Sequence, residues 1–176
     1  MIHSIVKIDE LREIYKLDNI VRYNTLNKLK RETVATHSFY ATYFAMMICD
    51  KWLLGDEIKL KAMQLCIVHD IPEIEINDVT HDAKQRMPEI VEILDKYEQN
   101  FLRNKYPAVY NIMVSTSRND IIAREVLNLA DVVSVFQYCD NEAEMGNTFF
   151  TQLAVQSLNR VCIQSKKLEE VIANAT

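Results

Sequence analysis

Apolar positions recur mainly at helical spacing along this chain, and the pattern predicts an all-α protein. From Thr36 to Leu54, apolar residues occupy most sides of the predicted helix, so this segment is expected in the core. Gly55 marks its end. Asp56 is then expected to cap a second buried helix, Glu57–His69. Because a proline disfavours helical dihedrals in the residue before it, Pro72 places the end of this helix near Asp70.

Polar stretches and prolines divide the remainder of the chain. The segment 73–85 is predicted to be a polar loop, and the form of 20–31 is left open. The other predicted helices cover 8–18, Pro88 to about Lys105, Ser117 or Asn119 to about Tyr138, and Thr148 to about Ala173. The chain has only 2 glycines and 3 prolines and shows no convincing strand pattern. We therefore expect six or seven helices in a single compact domain that spans residues 1–176.

Composition and charge narrow the possible functions. The chain is 49% hydrophobic and 26% charged, as in ordinary globular proteins. Its net charge is −5 and its longest basic run is Lys28–Arg31, which argues against a nucleic-acid polymer as partner. A small phosphorylated substrate remains compatible, because a metal and one or two arginines create a local positive site.

No feature of the sequence points to export or to a membrane. A secretory signal and an apolar run long enough for a membrane span are both missing. The four cysteines are far apart and form no CxxC pair, which predicts reduced and mostly buried thiols. Together these observations predict a cytoplasmic protein without a membrane partner.

Several ionisable residues occur where apolar residues are expected. Asp131 lies inside the stretch LNLADVV, and His69-Asp70 ends the apolar run MQLCIV. A buried carboxylate is costly unless a cation accompanies it, so both aspartates call for an Arg, a Lys or a metal. His37 opens one core helix and His69 closes the next, and mixed imidazole and carboxylate donors suit Mn, Fe, Co, Ni or Zn. Structural histidines and salt-bridged aspartates remain the alternative at this point.

The order His37, His69-Asp70, Asp131 resembles the HD superfamily of metal-dependent phosphohydrolases. Four short segments carry a closer resemblance: RETVATHS at 31–38, HDIPEIEIND at 69–78, LAD at 129–131 and EAEMGN at 142–147. They resemble, in loose register, the R-x-E-x-V-x-E-H-S, H-D-x-x-E-x-x-x-G-D, A-D and E-x-x-x-G-N patterns of the HD-domain 5′-deoxynucleotidases. The match spans roughly residues 20–150, and it implies an HD-domain helical bundle.

The resemblance implies a role for each matching residue. It implies that His37, His69, Asp70 and Asp131 bind the metal. Glu73 and Asp78 would flank the attacking water and the phosphate, for proton transfer and orientation. Arg22, fifteen positions before His37, corresponds to the phosphate-binding arginine, and Tyr23 to an aromatic residue near the sugar.

Alternatives and departures accompany these assignments. Arg22 could be an ordinary surface arginine, Glu73 a residue that favours a helix N-terminus, and Asp78 a turn or capping residue. Thr36 stands where the family usually has Glu. Asn77 replaces a glycine, and since Asn tolerates positive φ the turn can persist. Tyr23 replaces a larger indole, which leaves sugar selectivity open. Glu142 is interpreted as solvated or structural, and His81 as an exposed loop residue.

The resemblance implies an enzyme that uses one divalent transition metal, Mn, Co, Fe, Ni or Zn, to release phosphate from (deoxy)nucleoside 5′-monophosphates. The same ligands could hydrolyse an alarmone, a nucleoside triphosphate or a cyclic dinucleotide. A third hypothesis is a non-catalytic module that senses a nucleotide. Abundant Met, Phe and Tyr, together with the resemblance, predict a homodimer.

Overall fold

The computed structural model describes residues 12–79, 81–115 and 117–175. Eight α-helices lie wholly within these residues: α1 (Val34–Lys51), α2 (Asp56–Val68), α3 (Glu73–Ile76), α4 (His81–Arg86), α5 (Pro88–Lys105), α6 (Pro107–Val114), α7 (Arg118–Glu144) and α8 (Thr148–Ala175). Six of them have eight residues or more, and the predicted all-α fold is confirmed. Within the described ranges, β pairing is limited to one isolated bridge between Val21 and Thr33. The described part of the predicted helix 8–18 includes a 3-10 helix, Tyr15–Asp18.

Helix α1 begins two residues earlier than predicted, because a reciprocal cap fixes its first turn. The side chain of Thr33 accepts a hydrogen bond from the backbone N–H of Thr36 at 3.2 Å. In return, the Thr36 hydroxyl accepts one from the backbone N–H of Thr33 at 2.9 Å. Thr36 therefore serves the capping function that Glu has in the usual capping box. This cap holds His37 in the first turn of α1.

Helix α2 ends at Val68, close to the predicted boundary, but its N-cap is Gly55 rather than Asp56. The predicted polar loop at 73–85 is wrong, because α3 and α4 fall within it. Pro72 has helical dihedrals (φ −57°, ψ −24°) and occupies the N-cap of α3. A proline is compatible with a helix start, so Pro72 begins a new helical segment after the one it ends.

The later boundaries show the same use of prolines. Pro88 opens α5, as predicted, but Pro107 also opens a helix, α6, that the sequence analysis did not assign. Ser117 caps α7 as predicted, and the helix continues to Glu144, beyond the predicted end near Tyr138. Helix α8 begins at the predicted Thr148 and ends two residues beyond the predicted Ala173.

The core lies where α1, α2 and α7 pack together, with α8 against α7. Five fully buried alanines line this contact: Ala41, Ala45, Ala62, Ala123 and Ala130. Because alanine side chains are small, these helix backbones can approach closely. The start of α1, the end of α2 and the middle of α7 thereby meet at one place.

Two other sequence expectations concern cysteines and membranes. Cys49, Cys66 and Cys139 are buried free thiols, and Cys162 is exposed, as expected for mostly buried reduced cysteines. Within the part of the chain that the structure describes, every helix is too short or too polar to cross a membrane.

Candidate metal centre

The structure brings His37 next to the His69-Asp70 pair, although the helices that position them, α1 and α2, are separate. One potential ligand atom from each residue lies within 4.8 Å of the other two. His37 is fully buried in the first turn of α1, and His69-Asp70 follows directly after α2. The Asp70 carboxylate lies 3.2 Å from His69 Nε2 and 3.7 Å from His37 Nε2.

Asp131 reaches this cluster from the middle of α7. Its Oδ1 lies 3.0 Å from His37 Nε2, and its side chain is 34% exposed. Among the described residues, the group whose potential ligand atoms all lie within 4.8 Å of one another consists of His37, His69 and Asp70. Asp131 contacts this group through His37. Burial opposes ionisation of Asp131, but the close contact with His37 Nε2 and the nearby positive charge of Arg22 outweigh it and lower the pKa of this carboxyl.

Both imidazoles are oriented so that Nε2 faces the cluster. His69 Nδ1 lies 2.7 Å from the carbonyl oxygen of Cys66, which can only accept, so Nδ1 carries the proton and Nε2 a lone pair. His37 Nδ1 lies 3.1 Å from the hydroxyl of buried Ser134. Burial, followed by the nearby charge of Arg22, lowers the pKa of His37, which favours the neutral imidazole that binds metals.

The donor set fits a divalent transition metal. His37 Nε2 and Asp70 Oδ2 are buried and have no hydrogen-bond partner among the described residues, so each offers a lone pair to a metal. Metal–ligand bonds of about 2.0–2.2 Å place neighbouring donors roughly 3 Å apart. The observed separations of 3.0 Å and 3.2 Å agree with this spacing. Imidazole nitrogen with carboxylate oxygen suits Mn, Fe, Co, Ni or Zn.

Arg22 lies beside these carboxylates and is not a surface residue. Its side chain is 13% exposed, with Nη1 3.5 Å from Asp70 Oδ2 and Nε 3.4 Å from Glu32 Oε2. Burial alone would lower the pKa of Arg22, but the charges of Asp70, Asp131 and Glu32 raise it, so the guanidinium stays charged. Burial raises the pKa of Glu32 to about 7, because Arg22 offsets only part of its lost hydration.

Glu73 opens α3 and Asp78 follows in the turn after it, and the charges of Asp70 and Asp78 both act on Glu73. Glu73 Oε2 is buried without a hydrogen-bond partner. Burial, together with the charges of Asp70 and Asp78, raises the pKa of Glu73 to about 9, so this carboxyl retains a proton at neutral pH. Asn77 adopts φ 59°, the positive dihedral expected at the position where the family has glycine.

Tyr23 is held in an aromatic cluster with Tyr138 and Phe150. Its ring stacks on Tyr138 at 4.9 Å between centroids and meets the edge of Phe150 at 5.7 Å. The Arg22 guanidinium lies 6.0 Å from the Tyr23 ring centre. The described contacts of this ring are therefore mainly with other aromatic residues, and contact with a sugar stays a prediction.

Sequence reasoning assigned no functional role to three residues that are buried in the structure: Glu32, Ser134 and Glu142. Glu142 is fully buried, so of its two predicted interpretations the structural one applies. Its carboxylate accepts hydrogen bonds from the backbone N–H groups of Leu29 and Lys30. Ser134 lies three residues after Asp131 on α7, and this helical spacing is the signal that could have revealed it. The prediction for His81 lies outside the described side chains.

A family model for YfbR-like 5′-deoxynucleotidases matches residues 11–173. No curated protein sequence matches the chain.

Three solved structures are similar in fold. One is an HD-domain phosphohydrolase from Listeria innocua, with a TM-score of 0.68, 16% identity, and coverage of 96% of this chain and 88% of that one. An HD phosphohydrolase of cyanophage S-2L, bound to dA and one catalytic Zn2+ ion, has a TM-score of 0.64, 14% identity, and coverage of 90% and 96%. A protein from Pyrococcus horikoshii OT3 has a TM-score of 0.71, 19% identity, and coverage of 96% and 97%.

Proposed function

Because this chain belongs to the family of YfbR-like 5′-deoxynucleotidases and is a metal-dependent phosphohydrolase, we propose that it releases phosphate from (deoxy)nucleoside 5′-monophosphates. The observation that supports this most is a cluster of metal-binding side chains with a buried arginine on its border. His37, His69 and Asp70 supply the compact donor group, and Asp131 completes it through His37. Arg22 supplies the neighbouring positive charge.

Within this proposal, phosphate binds beside the metal donors, where Arg22 borders them. A bound divalent ion would act as a Lewis acid toward the phosphate and lower the pKa of the attacking water. The terminal nitrogens of Arg22 can donate two parallel hydrogen bonds to a phosphate dianion. Unaided hydrolysis of phosphate monoesters is extremely slow, so placement and charge neutralisation have to supply most of the acceleration.

Glu73 is the proposed proton donor. When the water oxygen bonds to phosphorus and the ester P–O bond breaks, the 5′-oxygen leaves with a negative charge and takes the proton of Glu73. Since its pKa is raised to about 9, Glu73 carries that proton at neutral pH. The proton that the water loses then restores the Glu73 carboxyl. Asp78 is half-buried in the following turn, where its charge acts on Glu73, and we assign it the orientation of water or substrate.

Three further observations support a nucleoside monophosphate as substrate. The family is named for 5′-deoxynucleotidases, and the phage neighbour binds the deoxynucleoside dA. Among the described residues, Arg22 is the basic side chain recorded within 4.0 Å of the cluster's carboxylates. One arginine and one divalent ion suit a single phosphate group better than a polyphosphate chain.

Phosphate release from a nucleotide panel tests the substrate. The purified protein, loaded in turn with Mn, Co and Zn, should hydrolyse deoxynucleoside and nucleoside 5′-monophosphates faster than triphosphates, an alarmone or cyclic dinucleotides. Tight nucleotide binding without phosphate release under any of these ions would instead indicate a sensing module.

Substitution of a metal ligand and of the arginine tests the site. We expect Asp70→Ala to lose both metal and activity, because it removes one of the central donors. Arg22→Ala should keep its metal and lose phosphate affinity. Metal analysis of both proteins distinguishes the roles, and full metal retention by the Asp70 variant would contradict the assignment.

We also propose that the protein is a cytoplasmic homodimer. Four exposed apolar side chains lie on α1 at helical spacing: Phe39, Tyr40, Tyr43 and Met47. A second copy could cover this strip, since exposed apolar patches often mark protein contacts. Light scattering after size exclusion should give twice the chain mass, and Tyr43→Glu should shift it toward the monomer; a wild-type monomer would refute the dimer. Buried free cysteines agree with a reducing compartment.

A further inference from the structure

Glu32 lies beside Arg22 at the edge of the metal cluster, and the proposed function gives it no role. We propose that Glu32 is a positioning residue that holds the Arg22 guanidinium in the orientation that receives phosphate. The inference rests on the proposed function, because it names how that site fixes its phosphate-binding cation. It concerns a residue that contacts Arg22 and neither the metal donors nor the reacting atoms.

Backbone pairing places the two residues next to each other. The backbone N–H of Arg22 donates to the carbonyl oxygen of Glu32 at 3.0 Å, and Val34 N–H donates to the Ile20 carbonyl at 3.0 Å. These bonds flank the isolated bridge between Val21 and Thr33. The segment that carries Arg22 is thus fastened to the residues immediately before α1. This pairing fixes the backbone but leaves the long arginine side chain to be fixed separately.

The Glu32 side chain restrains that arginine from one edge. Its Oε2 lies 3.4 Å from Arg22 Nε, and its carboxylate is 7% exposed. Arg22 Nη1 lies 3.5 Å from Asp70 Oδ2, so the guanidinium bridges a buried carboxylate and a candidate metal ligand. With Glu32 on the Nε edge, Nη1 lies on the side of the metal donors, next to Asp70. A guanidinium held in one orientation can present its remaining N–H groups to a phosphate.

Burial of a carboxylate without a stabilising partner lowers the stability of the fold. Glu32 is 5% exposed, and its Oε2 has no partner other than the Arg22 ion pair. Removing one member of a buried pair leaves an uncompensated charge. Without Glu32, the guanidinium would be drawn toward Asp70 alone, where it competes with a metal for the same carboxylate. The position of Glu32 therefore serves both phosphate recognition and the availability of Asp70.

Binding of inorganic phosphate to the Mn-loaded protein tests this directly, because calorimetry needs no turnover. Above pH 7, where Glu32 is mainly ionised, Glu32→Gln keeps the side-chain volume but removes the charge. Under these conditions we expect phosphate affinity to fall about tenfold while the manganese content stays at the wild-type level. With a nucleoside monophosphate as substrate, the KM should rise by a similar factor and kcat should change less. Glu32→Asp should restore part of the affinity, since it restores the charge.

The Arg22→Ala background separates positioning from a general structural role. If Glu32 acts through Arg22, Glu32→Gln should cause no further loss of phosphate affinity when Arg22 is already alanine. The matched control is Glu125→Gln, because Glu125 is a 12% exposed carboxylate that pairs with Lys167 at 3.0 Å on α7 and α8. It should leave phosphate affinity and KM unchanged.

The outcomes distinguish this inference from the proposed function. Unchanged phosphate affinity in Glu32→Gln, or an equal loss in both backgrounds, overturns the positioning role while monophosphate hydrolysis can still stand. Loss of affinity in a protein that hydrolyses no monophosphate keeps the positioning role and removes the proposed substrate. A wild-type Mn-loaded protein that binds no phosphate overturns both.

Discussion

The most informative stability experiment concerns Glu142, because this buried carboxylate fastens the Arg22 segment to α7. It accepts hydrogen bonds from the backbone N–H of Leu29 at 2.8 Å, from that of Lys30 at 2.6 Å, and from Asn147 Nδ2 at 2.8 Å. Glu142→Gln has nearly the same volume, but it replaces one carboxylate oxygen with an NH2 group, which donates and cannot accept from an N–H group. At least one donor thereby loses its partner, and the remaining bonds are no longer charge-assisted.

The magnitude follows from those contacts. Hydrogen bonds to a charged group contribute about 1.5–3 kcal/mol each, and an orphaned buried donor costs about 1–3 kcal/mol. Since Leu29 and Lys30 are exposed and their N–H groups can partly regain water, we expect a loss of about 2–4 kcal/mol in the free energy of unfolding. For a chain of 176 residues, about 3 kcal/mol corresponds to a fall in Tm of about 6–12 °C.

The pH dependence supplies a second readout. Burial opposes ionisation of Glu142, but the hydrogen bonds from Leu29 and Lys30 outweigh it and lower the pKa of this carboxyl from its ordinary value of 4.5. The unfolded chain therefore binds the proton more readily than the folded one. The stabilisation is present above the ordinary pKa and is lost as the pH falls through the lower folded-state pKa. Glu142→Gln should lack this acid-dependent component.

Urea unfolding at neutral and acidic pH measures both effects. Glu144→Ala is the matched control, because Glu144 is exposed at the end of the same helix, and it should change stability by less than about 0.5 kcal/mol. A loss below about 0.5 kcal/mol in Glu142→Gln, or an unchanged acid limb, would refute this account of how the segment is fastened.

Three other substitutions test individual contacts. Glu73→Gln should lower kcat and remove the loss of activity that wild type shows as rising pH deprotonates this carboxyl; an unchanged pH–rate profile would argue against proton donation by Glu73. Ser134→Ala removes the contact to His37 Nδ1 and should weaken metal binding about tenfold in a chelator competition, whereas unaltered affinity would show that this contact is dispensable. Thr33→Ala removes the cap of α1 and should cost about 1 kcal/mol in urea unfolding, with Thr36→Ala expected to cost a similar amount because it removes the reciprocal bond; no loss in either would contradict the cap.

The sequence was most informative where an ionisable residue occurred in a stretch predicted to be buried. His37, His69, Asp70 and Asp131 stand out because ionisable side chains in apolar helices need partners, and the structure brings all four to one region. Ser134 gave no comparable signal, since an uncharged hydroxyl on a helix is ordinary until its partner is known. Partner identity depends on the packing of α1 against α7, which a linear pattern does not contain.

Prolines explain the main errors in the predicted fold. Pro72, Pro88 and Pro107 all lie at helix starts, but only Pro88 was predicted to open a helix. The rule that a proline ends the preceding helix is correct for α2 and says nothing of what comes after. The short helix α3 therefore depends on tertiary structure rather than on a sequence signal. The backbone N–H of Glu73 donates to the Asp70 carbonyl, so α3 follows directly from the turn that holds His69-Asp70.

In the proposed site, the charges around the cluster favour one divalent ion together with one phosphate. Asp70 and Asp131 contribute two carboxylates, while Glu32 lies against Arg22 on its far edge. The His37 imidazole favours its neutral form, and Glu73 retains its proton. A divalent cation therefore balances the two aspartates without excess charge. In that proposal, a phosphate dianion would meet both the divalent ion and Arg22, because the ion would share Asp70 with the guanidinium. A monovalent ion would leave the site negative and repel phosphate, so activity should require a divalent metal and disappear when a chelator removes it.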